Sequence, residues 1–522
     1  MAASYDAIVV GSGFGGGIAA CRLAEAGRSV CVLERGRRFA PQDFIDRPEQ
    51  LPDLLWHERA NPGGMFDVRL LRDVTVITAA GVGGGSLVYA NVQLRAPADV
   101  FATGWPAAIT RDALDPWYDR TEEALEPRTT PDDPPLDKVR AFAAMGARAG
   151  AQRFPLPLAV HFGPDRANPF SGVAQQGCQN LGRCDIGCPV GAKNTVDITY
   201  VARAEQHGAE VRPLHLVTRI DPPRSQGGLW RLSYKDLGDG SDGSVQAPLV
   251  VLAAGTLGTP RLLLTNQGRL PNLSPALGAR FSGNGDALGV AFDPQAPDVR
   301  EAHNDVGPVM TSALDYTDDR RLIVADGGLP PGFEGILDIA RGINVIRGWR
   351  RWLVRLRYLL VHLGLSDQSL PPRDVALHAR PSNPNSLIFL MIGRDAADGR
   401  MRLTPLLRRF DIRWDKAGSA ALFADLRRTA NELAAAAQAT PFYALDGGPL
   451  STFTTVHPLG GCPMADDPAD GVVDDVGRVH GYPGLHILDG SIVPTALGVN
   501  PSKTIAALAE RGIAQVIADG GG

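Results

Sequence analysis

The N-terminal segment 5–35 constrains the fold of this chain more strongly than any other part of the sequence. Residues 7–10 are an apolar run that predicts a short buried strand, and residues 18–26 have the spacing of an amphipathic helix. A second apolar run, residues 29–33, follows the helix. Between the first strand and the helix lies a G-x-G-x-x-G turn whose residues we expect to approach a ligand: Gly11, Gly13, Phe14, Gly15 and Gly16.

The order of strand, glycine turn, helix and second strand predicts a dinucleotide-binding unit. Glycines let the backbone approach a pyrophosphate, which then lies at the positive end of the helix. The second strand ends at Glu34, in place to accept a hydrogen bond from a ribose hydroxyl, and we expect Arg35 to belong to the same site. An acid at this position favours FAD or NAD over NADP. An ordinary tight turn is the alternative, and it would leave Glu34 without a role.

The size and charge of the chain limit the classes of protein to which it can belong. A length of 522 residues exceeds one simple domain and suits two intertwined ones. With 44% hydrophobic and 21% charged residues, the composition is that of a soluble globular protein. The net charge of −5 argues against a nucleic acid partner. The sequence shows neither a signal peptide nor an apolar stretch of about 20 residues that could span a bilayer, so we expect a cytoplasmic location.

Further pieces of a nucleotide-binding unit recur along the chain as a glycine run, a buried strand that ends on glycine, and a closing strand and helix. They occupy residues 81–86, 249–255, 485–491 and 501–519. Residues 300–450 differ, because alternating strands such as 386–392 and 400–403 predict an antiparallel sheet.

We therefore expect an α/β fold in which a discontinuous, Rossmann-like FAD-binding domain carries an inserted α+β substrate domain built on an antiparallel sheet. The FAD-binding domain is expected to comprise residues 1–100, 175–300 and 451–522. The substrate-binding domain is expected to comprise residues 101–174 and 301–450.

Two glycine-bordered turns near the C-terminus carry the candidate catalytic groups, His457 and Asn500. An imidazole that accepts a proton and an amide that orients an oxygen are what an alcohol needs to lose a proton and a hydride. The alternatives are a core histidine for His457 and a helix N-cap for Asn500, because Pro501 follows it and proline is favoured at the first helical position.

The motifs GSGFGG, GVGGGS, AAGTLGTPRLLL, HPLGG and DGS…GVNPSKTIAALAER resemble those of glucose–methanol–choline (GMC) oxidoreductases, and the closing segment is similar to their cholesterol oxidase branch. The resemblance implies FAD as cofactor, with His457 and Asn500 as the catalytic pair. Gly83, Gly84 and Ser86 would lie along the flavin ring, and Asp489 would reach its ribityl or phosphate side. Some members attach FAD through a histidine near this glycine run, but residues 81–95 contain none, so we expect non-covalent FAD. The resemblance assigns these further residues to the cofactor site: Gly81, Ala254, Gly255, Gly490, Asn500 and Pro501.

The sequence departs from the cholesterol oxidase branch in two places. Tyr89 and Ala90 stand where Asn-Gly is common, and the catalytic glutamate that moves the double bond has no clear counterpart. Asp326 and Glu334 lie in the comparable region, and we interpret them as ordinary surface acids. We therefore do not expect isomerase activity.

Three cysteines, Cys178, Cys184 and Cys188, lie in a glycine-rich loop with the spacing C-x5-C-x3-C and proline after the last. The loop is similar to that of GMC-type sugar dehydrogenase subunits, which pass flavin electrons through an iron–sulfur cluster. Three thiolates could hold a [3Fe–4S] cluster, or a [4Fe–4S] cluster with an outside ligand. Zinc is less well suited because a structural site needs four ligands. A loop that keeps its cysteines without metal is the other reading.

Residues 347–362 predict a helix with tryptophan and leucine on one face and arginine largely elsewhere. Such a helix could make a peripheral membrane contact. The alternative, which we favour, is a helix that packs its apolar face on the protein core or on an apolar substrate channel.

Together these patterns predict an enzyme that oxidises a hydrophobic secondary alcohol, sterol-like or steroid-like, with oxygen or a redox carrier as electron acceptor. Two other functions stay open. One is a GMC-fold lyase or a light-driven fatty acid decarboxylase, and the other is a non-catalytic FAD-binding adaptor.

Overall fold

The structure, a computed structural model, describes residues 3–225, 227–330, 360, 369, 385–443 and 453–520. Its first sheet has five parallel strands, and four of them are fully buried, as their unbroken apolar runs predict. In spatial order the strands are β22 (Leu485–Ile487), β13 (Leu249–Leu252), β2 (Ala7–Val10), β3 (Val30–Leu33) and β9 (Glu210–Arg212). The predicted parallel nucleotide-binding sheet is confirmed, and it combines segments from the beginning, middle and end of the chain.

Helices cover this sheet and connect its distant segments. The glycine turn leads into α1 (Phe14–Glu25), which packs against the C-terminal helix α8 (Ser502–Ala518). Arg22 of α1 forms a buried ion pair with Glu510 of α8, with 2.7 Å between Nη2 and Oε1. The Tyr200 hydroxyl donates a hydrogen bond to the same carboxylate, which satisfies a charge that would be costly to bury alone.

The first turn of α1 lies so close to the sheet that one position requires glycine. A Cβ on Gly15 would lie 1.4 Å from the carbonyl oxygen of Leu488, directly after β22. We expect Gly15→Ala to lower the free energy of unfolding by about 3 kcal/mol or more, because overpacking here meets backbone and not a movable side chain. Urea unfolding measures the loss, and Gly268→Ala is the control, since a Cβ there has nothing within 4 Å. Equal stability of the two variants would contradict this packing.

A second sheet has six strands, all antiparallel, which confirms the antiparallel sheet expected in the substrate region. In spatial order they are β20 (Thr440–Tyr443), β14 (Ala287–Phe292), β17 (Leu387–Ile392), β16 (Leu322–Asp326), β15 (Ser312–Tyr316) and β6 (Gln152–Pro155). Strand β14 lies within the range 175–300 that the sequence analysis assigns to the FAD-binding domain. Its pairing with β17 and β20 places it in the antiparallel sheet instead.

Smaller elements complete the described chain. The remaining strands are β1 (Ala3–Ser4), β4 (Phe66–Leu70), β5 (Thr75–Ala79), β7 (Arg166–Ala167), β8 (Ala174–Gln175), β10 (His215–Asp221), β11 (Trp230–Asp236), β12 (Asp242–Ala247), β18 (Arg400–Leu403), β19 (Phe410–Arg413) and β21 (Thr454–Thr455). The remaining helices are α2 (Arg111–Leu125), α3 (Asp137–Arg148), α4 (Ala202–Gln206), α5 (Gly255–Asn266), α6 (Thr317–Arg320) and α7 (Ala420–Ala436). Cys21 and Cys31 are fully buried in α1 and β3, as small apolar side chains would be.

A buried histidine in β22 makes the stability of the fold depend on pH. Burial, together with the positive charge of Arg478, lowers the pKa of His486 from its ordinary 6.5 to about 4, and the negative charge of Asp519 opposes this shift only in part. Its Nδ1 atom has no hydrogen-bond partner among the described residues. The unfolded chain therefore takes up a proton near pH 6.5, whereas the folded protein resists it until about pH 4.

The contribution of His486 to stability should be intact above pH 6.5 and lost as the pH falls towards 4. The shift corresponds to about 3 kcal/mol. We expect His486→Phe to flatten the dependence of unfolding free energy on pH across this interval, as measured by urea unfolding at a series of pH values. An unchanged slope in the variant would show that His486 is not the group responsible.

Among the described residues, no helix is long and apolar enough to cross a membrane. The helix predicted at 347–362 and its proposed membrane contact lie outside the described residues, apart from residue 360, and stay predictions.

Candidate active site

A cavity of about 1350 Å³ lies between the carboxyl ends of the parallel strands and the antiparallel sheet. Ligands of open α/β sheets bind at this edge of the strands. Most of the residues predicted from the sequence for cofactor binding or catalysis line it. They are Gly11, Gly13, Phe14, Gly15, Glu34, Arg35, Gly84, Ala254, Gly255, His457, Asp489, Gly490, Asn500 and Pro501.

Three glycines of the turn, Gly11, Gly13 and Gly15, present backbone to this cavity. Gly13 is the N-cap of α1 without a side-chain hydrogen bond, and the first helical turn carries no acidic residue. A Cβ on Gly84 would lie 2.6 Å from the Cα of Gly13, so the two glycine loops are in direct contact. A helix N-terminus with free N–H groups and no competing carboxylate suits the pyrophosphate of FAD.

Glu34 lies beside this turn, but its carboxylate is already engaged by the protein. One oxygen accepts hydrogen bonds from the backbone N–H and the hydroxyl of Ser12, at 3.0 and 2.8 Å. The other accepts from the backbone N–H groups of Gly36 and Gly81, at 2.9 and 3.4 Å. These four bonds fill the acceptor sites of a carboxylate. Its contact with a ribose hydroxyl stays a prediction, and a ribose would share the carboxylate with Ser12 or Gly81.

Four residues predicted for the cofactor site support the cavity wall from behind and do not form it. Gly16 packs on the backbone of Gly11, from which a Cβ would be 1.9 Å away. Gly81 donates to Glu34, and Gly83 donates to the Ser12 hydroxyl at 3.2 Å. The Ser86 hydroxyl donates to the Gly83 carbonyl at 2.7 Å and is buried. Gly84, the other residue of this run expected along the flavin ring, does line the cavity, together with Gly85, Val88 and Tyr89.

Asp489 joins the start of α5 to the turn that follows β22. One oxygen accepts from the Gly255 N–H at 2.9 Å and from the Thr259 hydroxyl at 2.5 Å. The other accepts from the N–H and hydroxyl of Ser491, at 2.9 and 2.5 Å. Burial raises the pKa of Asp489 above its ordinary value, and these hydrogen bonds oppose that shift. Its predicted contact with the ribityl or phosphate side of FAD is not tested by this geometry.

His457 forms a hydrogen bond with a buried carboxylate that the sequence analysis missed, Asp286. The distance between His457 Nδ1 and Asp286 Oδ1 is 2.8 Å, and the Asp286 side chain is 1% exposed. The second oxygen of Asp286 accepts at 3.0 Å from the N–H groups of Val456 and His457 and from the Thr455 hydroxyl. Because the carboxylate can only accept, Nδ1 carries the proton in the neutral imidazole, and Nε2 carries the lone pair that can accept a proton.

Asn500 lies on the Nε2 side of the imidazole. Its Nδ2 atom is 3.4 Å from His457 Nε2, so the structure brings the predicted pair together. Its Oδ1 atom is buried and has no hydrogen-bond partner among the described residues. The N-cap alternative is not seen, because α8 begins at Ser502 with Pro501 as N-cap and no side-chain cap. An unpartnered amide oxygen beside a basic nitrogen is suited to a polar ligand group.

A second residue that the sequence analysis missed, Asn284, fixes the loop that carries Asn500. Its amide oxygen accepts from the N–H groups of Leu497 and Gly498, at 2.8 and 3.2 Å. Its amide nitrogen donates to the carbonyl of Val499 at 2.8 Å. The signal for both missed residues is the polar stretch SGNGD at 282–286, directly before the buried strand β14.

The three-cysteine loop does not form a metal centre in the part of the chain that the structure describes. No group of three or more His, Cys, Asp or Glu side chains there is arranged to hold a metal ion. Cys184 is buried in an apolar cluster, against which Cys178 and Cys188 pack. Burial raises the pKa of Cys178 to about 12 and also raises that of Cys184, which disfavours the thiolates that iron requires. The structure thus gives the predicted cluster no support.

Asp326 is not the surface acid that the sequence suggested. It is buried in β16, where it accepts hydrogen bonds from the N–H groups of Thr311 and Ser312, at 2.6 and 2.8 Å. The buried Lys138 ammonium lies 3.4 Å from it. These partners give Asp326 a structural role away from the cavity lining, and Glu334 lies outside the described residues.

Comparisons with known proteins agree with this site. Residues 5–282 match the N-terminal part of the GMC oxidoreductase family, and residues 396–509 match its C-terminal part. A cholesterol oxidase of Mycobacterium tuberculosis (strain H37Rv) is 32% identical over 98% of this chain and 91% of its own length. A cholesterol oxidase of Acinetobacter baumannii is 30% identical over 98% of this chain and 94% of its own length.

The fold is also that of solved structures. A pyridoxine 4-oxidase from Mesorbium loti superposes with a TM-score of 0.64 at 17% identity, over 98% of this chain and 99% of the other. The chain therefore belongs to the GMC oxidoreductase family, and is an FAD-dependent oxidoreductase acting on alcohols.

Proposed function

We propose that this protein oxidises a hydrophobic secondary alcohol to a ketone, with His457 as the base that takes the hydroxyl proton. The observation that carries the proposal is a chain of hydrogen bonds from Asp286 through His457 to Asn500. His457 and Asn500 line the same cavity as the glycine turn. A buried carboxylate, a fixed imidazole and an amide are the parts that proton removal from an alcohol needs.

Each of the three residues has a separate task. Asp286 accepts a hydrogen bond from the Nδ1–H group of His457 and holds the ring in one tautomer, so that Nε2 can accept the proton of the substrate hydroxyl. Asn500 hydrogen-bonds the substrate oxygen and keeps it beside Nε2. Bound FAD supplies the acceptor for the hydride that leaves the carbinol carbon. Loss of one proton and one hydride converts the secondary alcohol into its ketone.

The part of the cavity formed by the antiparallel sheet and adjoining loops favours an apolar substrate. Its lining there is dominated by aliphatic side chains: Leu288, Val309, Met310, Leu329, Ile388 and Leu390. Burial of an apolar skeleton against such a wall stabilises binding by about 25 cal/mol per Å². The names of two relatives, both cholesterol oxidases, support a sterol or steroid as the first substrate class to examine.

Anaerobic mixing with a panel of sterols, steroids and long-chain alcohols tests this function. A dehydrogenation bleaches the flavin absorbance with one ketone formed per flavin. We expect bleaching by sterol or steroid alcohols and weaker bleaching by straight-chain alcohols. Product formed without any net bleaching would indicate a lyase instead. If no alcohol of the panel bleaches the flavin or gives a product, a non-catalytic FAD-binding protein is favoured.

We propose molecular oxygen as the electron acceptor, so that one alcohol and one O2 give one ketone and one H2O2. The oxidase names of the relatives support this choice. The alternative is electron transfer through an iron–sulfur cluster at Cys178, Cys184 and Cys188. We expect anaerobically prepared protein to contain no stoichiometric iron or acid-labile sulfide. Three or four irons per flavin would contradict oxygen as the direct acceptor and would support electron transfer through the cluster.

A further inference from the structure

The three-cysteine loop places one carboxyl group on the cavity wall. Cys184–Ile186 is a single 3-10 turn, and its middle residue, Asp185, lines the cavity together with Ile186. The Oδ1 atom of the Asp185 carboxyl is buried and has no hydrogen-bond partner among the described residues. The neighbouring Cys184 packs in one apolar cluster with Val309 and Met310, which also line the cavity.

The fold holds this carboxyl group in place from both sides. Cys184 and Ile186 are buried, with 9% and 4% of their surfaces exposed, in two different apolar clusters. The Lys193 ammonium donates a hydrogen bond to the Cys184 carbonyl. Gly187 has φ +101°, and a Cβ there would lie 2.0 Å from the ring of Phe44. The turn therefore cannot rotate Asp185 into solvent without displacing buried neighbours.

The nearest cations do not satisfy the carboxyl group. Lys193 and Lys138 attract it electrostatically, but both ammonium groups are occupied by backbone carbonyls. Lys193 donates to Leu87 and Tyr89 at 3.0 Å each, and Lys138 donates to Pro308 and Val309 at 2.8 Å each. Leaving a buried carboxylate oxygen unpartnered is costly, so we expect the donor for Oδ1 to come from the cavity side.

We propose that Asp185 is a specificity-determining residue that accepts a hydrogen bond from a second donor group on the substrate alcohol. The substrate class is then an apolar alcohol that carries a further hydroxyl or amino group, away from the carbinol that is oxidised. This inference rests on the proposed alcohol oxidation and narrows its substrate. An acceptor set in an apolar wall discriminates strongly, because a substrate without the donor leaves it unpaired.

The test compares three secondary alcohols with the same apolar skeleton: one without a second polar group, one with a second hydroxyl and one with an amino group. The rate of anaerobic flavin reduction is measured for the native enzyme, Asp185→Asn and Asp185→Leu. The control is Asp305→Asn, because Asp305 also has a buried oxygen without a partner but does not line the cavity. Flavin content and urea unfolding of each variant report whether it is folded.

We expect the native enzyme to prefer at least one donor-bearing alcohol by about ten- to a hundredfold in kcat/KM. Asp185→Asn keeps an acceptor without the charge, so it should lose the preference for the amine and keep that for the diol. Asp185→Leu should lose both preferences, because no acceptor is left for the second donor and the unsubstituted alcohol no longer leaves one unpaired. Asp305→Asn should change neither preference.

The proposal is overturned if the native enzyme shows no preference among the three alcohols, or if the preference survives in Asp185→Leu. Failure of the proposed function looks different, because then none of the three alcohols bleaches the flavin in any variant. If Asp185→Leu does not fold, the near-isosteric Asp185→Asn decides. The ratio of its kcat/KM values for the diol and the amino alcohol is compared with that of the native enzyme, and an unchanged ratio refutes the proposal.

Discussion

Replacing His457 by alanine should lower the rate of flavin reduction by alcohol by about 10²–10⁴-fold, while the protein keeps its FAD. The loss follows from the geometry, because Nε2 of His457 is the basic atom beside Asn500 at the cavity wall. The side chain is only partly buried and lies at the cavity, so its removal leaves the glycine turns intact. Stopped-flow reduction under anaerobic conditions measures the chemical step without interference from oxygen.

The control for this variant is His207→Ala, which removes an exposed imidazole at the end of α4. It should reduce its flavin at the native rate. If His457→Ala also reduces its flavin at the native rate with the same substrate, His457 is not the base. If it loses FAD, the comparison moves to His457→Gln, which keeps the volume of the side chain.

Asp286→Asn should cause a loss of comparable size although Asp286 does not itself reach the substrate. The turn at Thr455, Val456 and His457 directs three donors at one Asp286 oxygen, which the amide oxygen of asparagine can still accept. The amide nitrogen then faces Nδ1 and donates to it. This reverses the tautomer, places the proton on Nε2 and removes the base, at a cost of about 10²–10⁴-fold in reduction rate.

A structural effect of Asp286→Asn can be separated from this effect on the tautomer. We expect kcat to fall while FAD affinity and urea unfolding stay close to native values. Asp411→Asn is the matched control, because Asp411 is a buried acid on the β18–β19 hairpin outside the cavity lining. A native rate of flavin reduction in Asp286→Asn would show that the carboxylate does not set the tautomer of His457.

The sequence predicted the parts of this fold whose signals are local. The apolar run Ala7–Val10 and the glycine turn are contiguous, so strand, turn and α1 could be placed before the structure was known. The pairing of His457 with Asn500 was predicted from motifs in two turns, and the structure places the two side chains together. These local signals do not reveal Asp286, which accepts the hydrogen bond from the other ring nitrogen of His457.

Asp286 lies 171 residues before His457, and no periodicity connects the two. Asp326 was misjudged for a related reason, since its partner Lys138 lies on α3, far away in sequence. Burial of a charged residue depends on which distant donors converge on it, and a single sequence does not record that convergence. The spacing of the three cysteines predicted an iron–sulfur cluster, yet in the folded loop these side chains pack with apolar neighbours.

The most direct test of the central claim is the anaerobic reduction of the flavin by a secondary sterol alcohol with deuterium at the carbinol carbon. If His457 removes the hydroxyl proton while the carbinol hydrogen leaves as hydride, the native enzyme should bleach stoichiometrically with ketone formation, and deuterium should slow bleaching several-fold. His457→Ala should bleach about 10²–10⁴-fold more slowly with the same substrate. Ketone formed without bleaching would contradict this claim. So would a bleaching rate that neither deuterium nor the His457→Ala substitution changes.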